Sequence, residues 1–204
     1  MRYEIIPVGV YGANCSILWE DPDCAWVVDP GARGAAILGR MSKLSIRPGL
    51  VVLTHAHFDH ISAVNDILAE FPVPVYLHAA DEGIAFSPLN AMPPYTATSR
   101  PATLVTDKAD GETLAAGGLE ARILHTPGHT PGGWCLLFEK DNLLVAGDTL
   151  FAGSVGRTDF PGGNSRQLSA SLKRIKELPG ETQVICGHGP MTTIGREIRD
   201  NPYL

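Results

Sequence analysis

One short segment of the sequence concentrates side chains that bind metal ions. Three of the seven histidines and one aspartate fall within the run His55-Ala56-His57-Phe58-Asp59-His60. Residues two apart in an extended chain point the same way, so His55 and His57 can converge on one ion. Asp59 and His60 follow where a helix is expected to begin, and the turn there can direct both toward a second point. Neutral imidazoles and a carboxylate suit Zn²⁺, Fe²⁺ or Mn²⁺, so the segment predicts a metal site.

Three further candidate ligands each follow a predicted strand. They are His129 in Pro127-Gly128-His129-Thr130-Pro131-Gly132, Asp148 in Ala146-Gly147-Asp148-Thr149, and His188 in Cys186-Gly187-His188-Gly189-Pro190. The neighbouring glycines let the backbone come close to an ion or a substrate. Because four ligands in a row do not close a site, we expect these three side chains to complete it at the ends of their strands.

Short apolar runs separated by Gly and Pro predict the elements that position these ligands. Strands are expected at Tyr3–Val8, Cys15–Trp19, Ala25–Val28, Leu50–Leu53, Val73–Leu77, Leu119–Leu124, Trp134–Phe138, Leu143–Ala146 and Val184–Cys186. Helices are expected at Ala35–Leu44, Ile61–Phe71, Ala80–Phe86, Leu168–Leu178 and Thr193–Arg199. Strands in meanders and then alternating with helices, twice over, predict two packed sheets with helices outside. This is a four-layer α+β fold in a single domain over residues 1–204.

The candidate ligands, taken in chain order, resemble the metal-binding signature of the metallo-β-lactamase superfamily. The resemblance implies a four-layer αββα sandwich with the site at one edge of the paired sheets. It also implies two divalent metal ions, with Zn²⁺ expected and Fe²⁺ or Mn²⁺ as the alternatives. The residues implied are His55, His57 and His129 at the first ion, Asp59, His60 and His188 at the second, and Asp148 bridging both.

Within the superfamily, Thr126–Gly132, Gly147–Phe151 and Gly156-Arg157 resemble the glyoxalase II group of thioester hydrolases. The resemblance is to the short, single-domain members, without the helical domain that supplies glutathione contacts in longer ones. It implies hydrolysis of a thioester such as S-lactoylglutathione by attack of a metal-bound hydroxide. Asp59 would then orient the nucleophile as well as bind metal. Arg157 would pair with a substrate carboxylate, although an ordinary ion-pairing role for this residue is equally compatible.

Two other activities stay open on the same residues. The run from Gly156 to Phe160 is also similar to persulfide dioxygenases, which use one Fe²⁺ held by two histidines and one aspartate. The corresponding ligands here would be His55, His129 and Asp148. A lactonase would use the same dinuclear site as a thioesterase. A non-catalytic metal protein fits less well, because glycine-lined ligands favour an open site over a closed structural cage.

Composition bears on partners and cellular location. The 204 residues include 16 Lys+Arg against 22 Asp+Glu, a net charge of −6, whereas nucleic-acid-binding proteins carry a basic stripe. No apolar run approaches the roughly 18 residues that span a bilayer. The four cysteines are scattered without a CxxC pair, which is typical of reduced thiols in a cytoplasm. We therefore expect a cytoplasmic enzyme with a small-molecule thioester substrate and neither a nucleic-acid nor a membrane partner.

Overall fold

A computed structural model describes residues 1–204, and its strands form two six-stranded sheets and one separate hairpin. The strands of the first sheet are, in spatial order, β1 Arg2–Val8, β2 Ala13–Trp19, β3 Ala25–Val28, β4 Pro48–Val52, β5 Val75–Tyr76 and β6 Leu104–Val105. β1 to β3 pair antiparallel, and β3 to β6 pair parallel. The remaining strands are β7 Thr113–Ala116, β8 Leu119–His125, β9 Trp134–Phe138, β10 Leu143–Gly147, β11 Leu150–Phe151, β12 Ser154–Val155, β13 Gln183–Cys186 and β14 Thr192–Thr193.

The second sheet has the order β14-β13-β10-β9-β8-β7, and β11 pairs only with β12. Six helices accompany the sheets: α1 Gly34–Lys43, α2 Phe58–Ile61, α3 Val64–Glu70, α4 Glu82–Ala85, α5 Ser165–Ile175 and α6 Ile194–Asp200. The start of α5 is fixed by Asn164, whose Oδ1 accepts hydrogen bonds from the N–H groups of Arg166 and Gln167, both at 3.1 Å. No helix combines the length and apolarity that crossing a bilayer requires.

Three apolar layers separate the helices from the sheets and the sheets from each other. On the outer face of the first sheet, α1 and α3 bury Ile37, Met41 and Ile67. On the outer face of the second sheet, α5 buries Leu172 and Ile175. A third group, including Trp26, Val52, Ile123, Phe138 and Val145, fills the space between the sheets. The order of layers is helix, sheet, sheet, helix, which confirms the predicted αββα sandwich.

The bounds of several elements differ from the prediction. The helix predicted over Ile61–Phe71 is wrong as one element, because the chain forms α2 and α3 with a bend at residues 62–63. The cause is local: the N–H of Ala63 donates to the carbonyl of Pro30 at 2.9 Å instead of continuing the helix. The strand predicted at Val73–Leu77 is reduced to β5, and the short strands β6, β7, β11, β12 and β14 were not predicted. Four of these five strands, all except β7, have only two residues each, which is too few for a periodic pattern.

Backbone and side-chain hydrogen bonds join the two sheets at the edge where β4, β10 and β13 end. Trp134 donates from its backbone N–H to the Thr54 carbonyl at 3.0 Å and from Nε1 to the Leu53 carbonyl at 2.7 Å. From the other side, the Asn14 side chain donates to the Cys186 and Gly189 carbonyls, both at 2.9 Å. Because β10 and β13 are parallel, the loops after them emerge at this same edge.

Truncating the layer between the sheets should cost more stability than any surface change. Phe138 is 1% exposed, and its ring lies 5.5 Å from that of Trp26. We expect Phe138→Ala to lower the free energy of unfolding by about 3–5 kcal/mol, because it removes buried apolar area and leaves a cavity. Ile198→Ala, at a residue 43% exposed, is the control and should change it by less than about 0.5 kcal/mol. Equal effects in urea unfolding would contradict this layer assignment.

Candidate metal centre

The seven candidate ligands meet at the edge where the sheets are joined. His55 and His57 lie in the loop after β4, and Asp59 and His60 lie in α2. The loops after β8, β10 and β13 bring the other three, His129, Asp148 and His188. Residues far apart in the chain therefore come together: His60 and His188 are separated by 128 positions, and their Nε2 atoms are 3.1 Å apart.

The ligand atoms form two groups joined by one carboxylate. In the first group, the inward nitrogens of His55, His57 and His129 lie within 4.8 Å of one another. In the second, the same holds for Asp59, His60 and His188. Asp148 lies between the groups.

Both oxygens of Asp148 face histidine nitrogens. Its Oδ2 is 3.4 Å from Nε2 of His129 and 3.6 Å from Nε2 of His188. Its Oδ1 is 3.4 Å from Nε2 of His60. The carboxylate can therefore contact a cation in either group, which is the position that a bridging ligand needs.

Hydrogen bonds outside the centre fix which nitrogen of each ring carries the proton. Nδ1 of His129 lies 2.7 Å from the Arg157 carbonyl, and Nδ1 of His188 lies 3.1 Å from the Tyr11 carbonyl. Nδ1 of His60 lies 2.9 Å from Oδ2 of Asp29. These oxygens only accept, so each Nδ1 donates, and in the neutral ring Nε2 keeps its lone pair facing the centre.

The hydroxyl of Thr54 determines in the same way which nitrogen of His55 carries the proton. Thr54 Oγ1 donates to Asp29 Oδ2 at 2.6 Å, so it accepts from His55 Nδ1 at 3.0 Å. His55 Nε2 is then an unprotonated, buried nitrogen with no hydrogen-bond partner, and Asp148 Oδ1 is a buried oxygen in the same position. Buried polar atoms are rarely left unpaired. Two such acceptors directed at one space fit a cation, so the residues present are suited to hold metal.

The close packing of the histidines and aspartates also shifts the pKa values of three of the histidines. Burial, together with the neighbouring imidazole of His129, lowers the pKa of His57 to about 3. Burial likewise lowers the pKa of His55 well below its ordinary value. For His60, burial lowers the pKa, but the carboxylates of Asp148, Asp29 and Asp59 outweigh it and raise the pKa to about 10. Burial thus favours neutral imidazoles at His55 and His57, as metal ligands must be, whereas the neighbouring carboxylates favour a positive charge at His60.

Two buried aspartates that the sequence reasoning did not single out hold the ligand loops in place. Asp29 accepts from the Thr54 N–H at 2.7 Å in addition to the Thr54 hydroxyl and His60. It has φ of 52°, a left-handed conformation that Asp adopts more readily than most residues. Its three contacts use both of its oxygens, so it supports the ligands. Its place directly after β3, in Asp29-Pro30-Gly31, was the available signal.

Asp81 performs the corresponding task for the first group. Its carboxylate accepts from the N–H of Ala56 at 2.8 Å, the hydroxyl of Thr130 at 2.7 Å and the N–H of Gly132 at 2.6 Å. It therefore ties the loop of His55 and His57 to the loop of His129. Burial raises its pKa, and these hydrogen bonds oppose that rise. No sequence motif marked Asp81.

A cavity of about 310 Å³ opens over the centre. Five of the seven ligands line it, together with Tyr11, Phe58, Met92, Arg157 and Phe160. One glycine makes this close packing possible: a Cβ on Gly187 would lie 2.0 Å from Oδ1 of Asp148. No other residue fits there without displacing the bridging carboxylate.

Arg157 lies on the cavity wall but is already paired. Its Nε and Nη2 donate to the two oxygens of Asp159 at 2.7 and 2.6 Å. The guanidinium carbon also lies 3.8 Å from the centre of the Phe160 ring. The structure therefore shows the ion-pairing role, and a substrate carboxylate would have to compete with Asp159.

His78 and His125 lie outside the centre. Their rings stack 4.1 Å apart, His78 Nδ1 accepts from the Ala80 N–H at 3.2 Å, and His125 Nε2 donates to the Pro131 carbonyl at 3.0 Å. Both residues therefore have structural partners and do not contribute to the ligand groups.

Comparisons with known proteins agree on the family. The family model described as the metallo-beta-lactamase superfamily matches residues 8–188. The protein named hydroxyacylglutathione hydrolase GloC of Haemophilus influenzae is 34% identical over 208 residues, which cover 100% of this chain and 98% of that protein. The chain belongs to the metallo-beta-lactamase superfamily. Its family and its relatives support a metal-dependent hydrolase.

Solved structures extend the similarity to different named proteins. The B3 metallo-beta-lactamase BLEG-1 superimposes with a TM-score of 0.91 and 36% identity, covering 100% of this chain and 99% of that one. TTHA1623, described in a di-iron-bound form, has a TM-score of 0.85 and 35% identity, covering 98% and 100%. ETHE1 from Myxococcus xanthus has a TM-score of 0.79 and 26% identity, covering 99% and 84%.

Removing the Asp81 carboxylate should loosen the metal centre. Asp81→Ala leaves two buried N–H groups without acceptors, so we expect the free energy of unfolding to fall by about 3 kcal/mol. Metal affinity should fall by about 10–100-fold, because supporting hydrogen bonds orient the ligands. Asp200→Ala, at an exposed aspartate in α6, is the control. Urea unfolding and competition with a chelator measure both effects. An unchanged metal affinity would show that Asp81 serves only the fold.

Proposed function

We propose that this protein hydrolyses small-molecule thioesters, such as S-lactoylglutathione, with two divalent metal ions held by His55, His57, Asp59, His60, His129, Asp148 and His188. The observation that carries the proposal is the pair of ligand groups with Asp148 between them. Zn²⁺ is the proposed metal, and Fe²⁺ or Mn²⁺ would suit the same imidazole and carboxylate ligands.

The division of ligands follows the geometry of the two groups. His55, His57 and His129 would hold one ion, and Asp59, His60 and His188 the other. Asp148 would contact both. Two such ions activate a water as nucleophile by lowering its pKa from 15.7 toward about 7, and they stabilise negative charge on a carbonyl oxygen.

Side chains of the protein would orient the attacking water and line the space for the substrate. Asp59 lines the cavity, and its Oδ2 lies 3.5 Å from Nε2 of His188. A carboxylate here can accept a hydrogen bond from the attacking water and so orient it toward the substrate carbonyl. Tyr11, Phe58 and Met92 line the cavity and give its wall apolar surface for a substrate. A thiolate leaves more readily than an alkoxide or an amine, so thioesters suit a site without a strong general acid.

A persulfide dioxygenase is the alternative that uses fewer of these residues. Oδ2 of Asp148 lies 3.4 Å from Nε2 of His129 and 4.0 Å from Nε2 of His55, so a three-ligand iron site could form there. Such an iron site would leave the other four candidate ligands without a role, namely His57, Asp59, His60 and His188. Their inward-facing atoms, with Nε2 of His60 and His188 only 3.1 Å apart, favour the dinuclear reading. A lactonase shares the dinuclear site and differs only in its substrate.

Metal analysis run beside substrate assays tests the proposal. We expect about two metal ions per chain, together with thiol release from S-lactoylglutathione. The same preparation is assayed for O₂ uptake with glutathione persulfide, for opening of an aliphatic lactone and for cleavage of a chromogenic cephalosporin. One iron per chain with O₂ uptake would overturn the proposal. Preferred cleavage of the lactone or the cephalosporin would keep the metal centre and replace the substrate.

Substituting one ligand of the second group distinguishes a dinuclear metal centre from a mononuclear one. His188→Ala should reduce the bound metal from about two ions to about one per chain and abolish thiol release, because the dinuclear reaction needs both ions. His125→Ala, at a histidine outside the centre, is the control and should keep both ions. A His188→Ala variant with full activity would contradict the dinuclear reading. Metal content after gel filtration and the rate of thiol release give the two measurements.

Paired substitutions test Arg157 as the contact for a substrate carboxylate. Arg157→Ala should raise the KM for S-lactoylglutathione by about tenfold, because it removes a charge-assisted hydrogen bond. Asp159→Ala should lower KM, since it frees the guanidinium from its present partner. If Asp159→Ala raises KM as much as Arg157→Ala does, the pair serves to hold the cavity wall and does not bind substrate.

A further inference from the structure

A second cavity adjoins the one over the metal centre. Its volume is about 370 Å³. The two cavities share four lining residues, which are His57, Phe58, Met92 and Phe160. The far side of the second cavity is formed by α4 and by the irregular segment after it, through Gly83, Ile84, Leu89 and Ala91. A ligand whose reacting carbonyl lies at the metal centre therefore has space beside it for a further group.

The second cavity offers no charge to that group. No Asp, Glu, Lys or Arg lines it. The side-chain amide of Asn90 donates to the carbonyls of Ala56 and Ala85 at 2.7 and 3.0 Å, and the hydroxyl of Ser87 accepts from the N–H of Leu89 at 3.2 Å. The polar side chains on this wall thus already have partners within the protein. Burying a charged group there would leave it unpaired, which is costly.

The charged residues on the cavity walls lie at the metal centre and beside it. Asp59, Asp148 and Arg157 line the first cavity only. Phe160 stands between Arg157 and the second cavity, with the guanidinium 3.8 Å from its ring centre. Two of the apolar side chains that line the second cavity are also exposed to solvent, Leu89 by 91% and Met92 by 43%. Exposed apolar side chains grouped at a cavity are a common mark of a ligand site.

We propose that the second cavity binds an apolar acyl chain, attached to the thioester carbonyl that reacts at the metal centre. This inference rests on the proposed thioesterase activity and names the substrate's acyl group. The chain enters between Phe58 and Phe160 and packs against Ile84, Leu89 and Met92. A charged thiol carrier such as glutathione is excluded from this cavity, so the carrier lies on the side of Arg157. The preferred substrates are therefore thioesters of aliphatic acids of medium length.

A series of acyl glutathione thioesters tests the proposal. Acetyl, butanoyl, hexanoyl and octanoyl thioesters keep the carrier constant, and thiol release gives kcat/KM for each. Because burying a methylene contributes about 0.8 kcal/mol, we expect kcat/KM to rise by up to about fourfold per methylene until the cavity is full. A decline of kcat/KM from acetyl to octanoyl, or equal values throughout, would overturn the proposal.

Two substitutions on the cavity wall locate the chain. A Cβ built on Gly83 has no heavy atom within 4 Å, so Gly83→Leu can occupy space at the wall without displacing its neighbours. We expect this variant to reduce the octanoyl-to-acetyl ratio of kcat/KM by at least about tenfold, because the added side chain takes the volume of several methylenes. Ile84→Ala should reduce the ratio by a smaller factor, since it removes apolar contact.

Gly39→Leu is the matched control. Gly39 is also an exposed helical glycine whose Cβ would meet nothing within 4 Å, and it lies in α1, away from both cavities. This variant should keep the wild-type ratio. If Gly83→Leu and Ile84→Ala both keep it as well, the acyl chain binds elsewhere and the proposal is wrong. Absence of thiol release from every thioester would instead refute the proposed function, so the two failures are distinguishable.

Discussion

The main constraint on this structure is the repulsion between its own candidate ligand atoms, which the rest of the fold must hold close together. Five imidazoles and two carboxylates converge at the edge of the sheets, and outer hydrogen bonds direct the Nε2 lone pairs of four of the rings inward, those of His55, His60, His129 and His188. Lone pairs that face each other across about 3 Å, as in the His60–His188 pair, repel unless a proton or a cation lies between them. Protonation meets this demand at His60 but not at His55 or His57, whose pKa values are lowered. Cations would relieve the repulsion at all of these side chains, because each lone pair would then face a positive charge.

Holding such atoms together requires a support stiffer than the loops that carry them. The support comes from two buried aspartates, Asp29 and Asp81, whose oxygens accept hydrogen bonds from the ligand loops. Asp29 reaches the second ligand group through His60 and the first through Thr54, whereas Asp81 joins the loop of His55 to the loop of His129. Each aspartate holds its ligand loops through hydrogen bonds to a buried carboxylate, and hydrogen bonds of this kind are strong in a buried setting. These hydrogen bonds hold the ligand loops against each other, which reduces the ordering that metal binding would require.

The sequence predicts features that depend on local residue patterns. It does not predict features that depend on contacts between residues far apart in the chain. The alternation of strands and helices predicted two packed sheets with helices outside, and the run from His55 to His60 predicted a metal site. The supporting role of Asp81 depends on three contacts that lie 25 to 51 positions away in the chain, and no local pattern encodes them. The break between α2 and α3 has the same origin, since a carbonyl distant in sequence, that of Pro30, takes the N–H of Ala63. Short edge strands likewise form through pairing and carry no periodicity of their own.

The two adjoining cavities separate charge from apolar surface, and this separation explains why Arg157 alone is a poor guide to the substrate. A guanidinium that forms two hydrogen bonds with Asp159 and lies over Phe160 stabilises the wall between the cavities. Any carboxylate that binds it must first displace Asp159, which lowers the net gain in binding energy from this exposed pair. Apolar surface has no such competitor, because the only alternative partner of an empty apolar wall is water. Selectivity among thioesters is therefore expected to depend more on the acyl group than on the charge of the carrier.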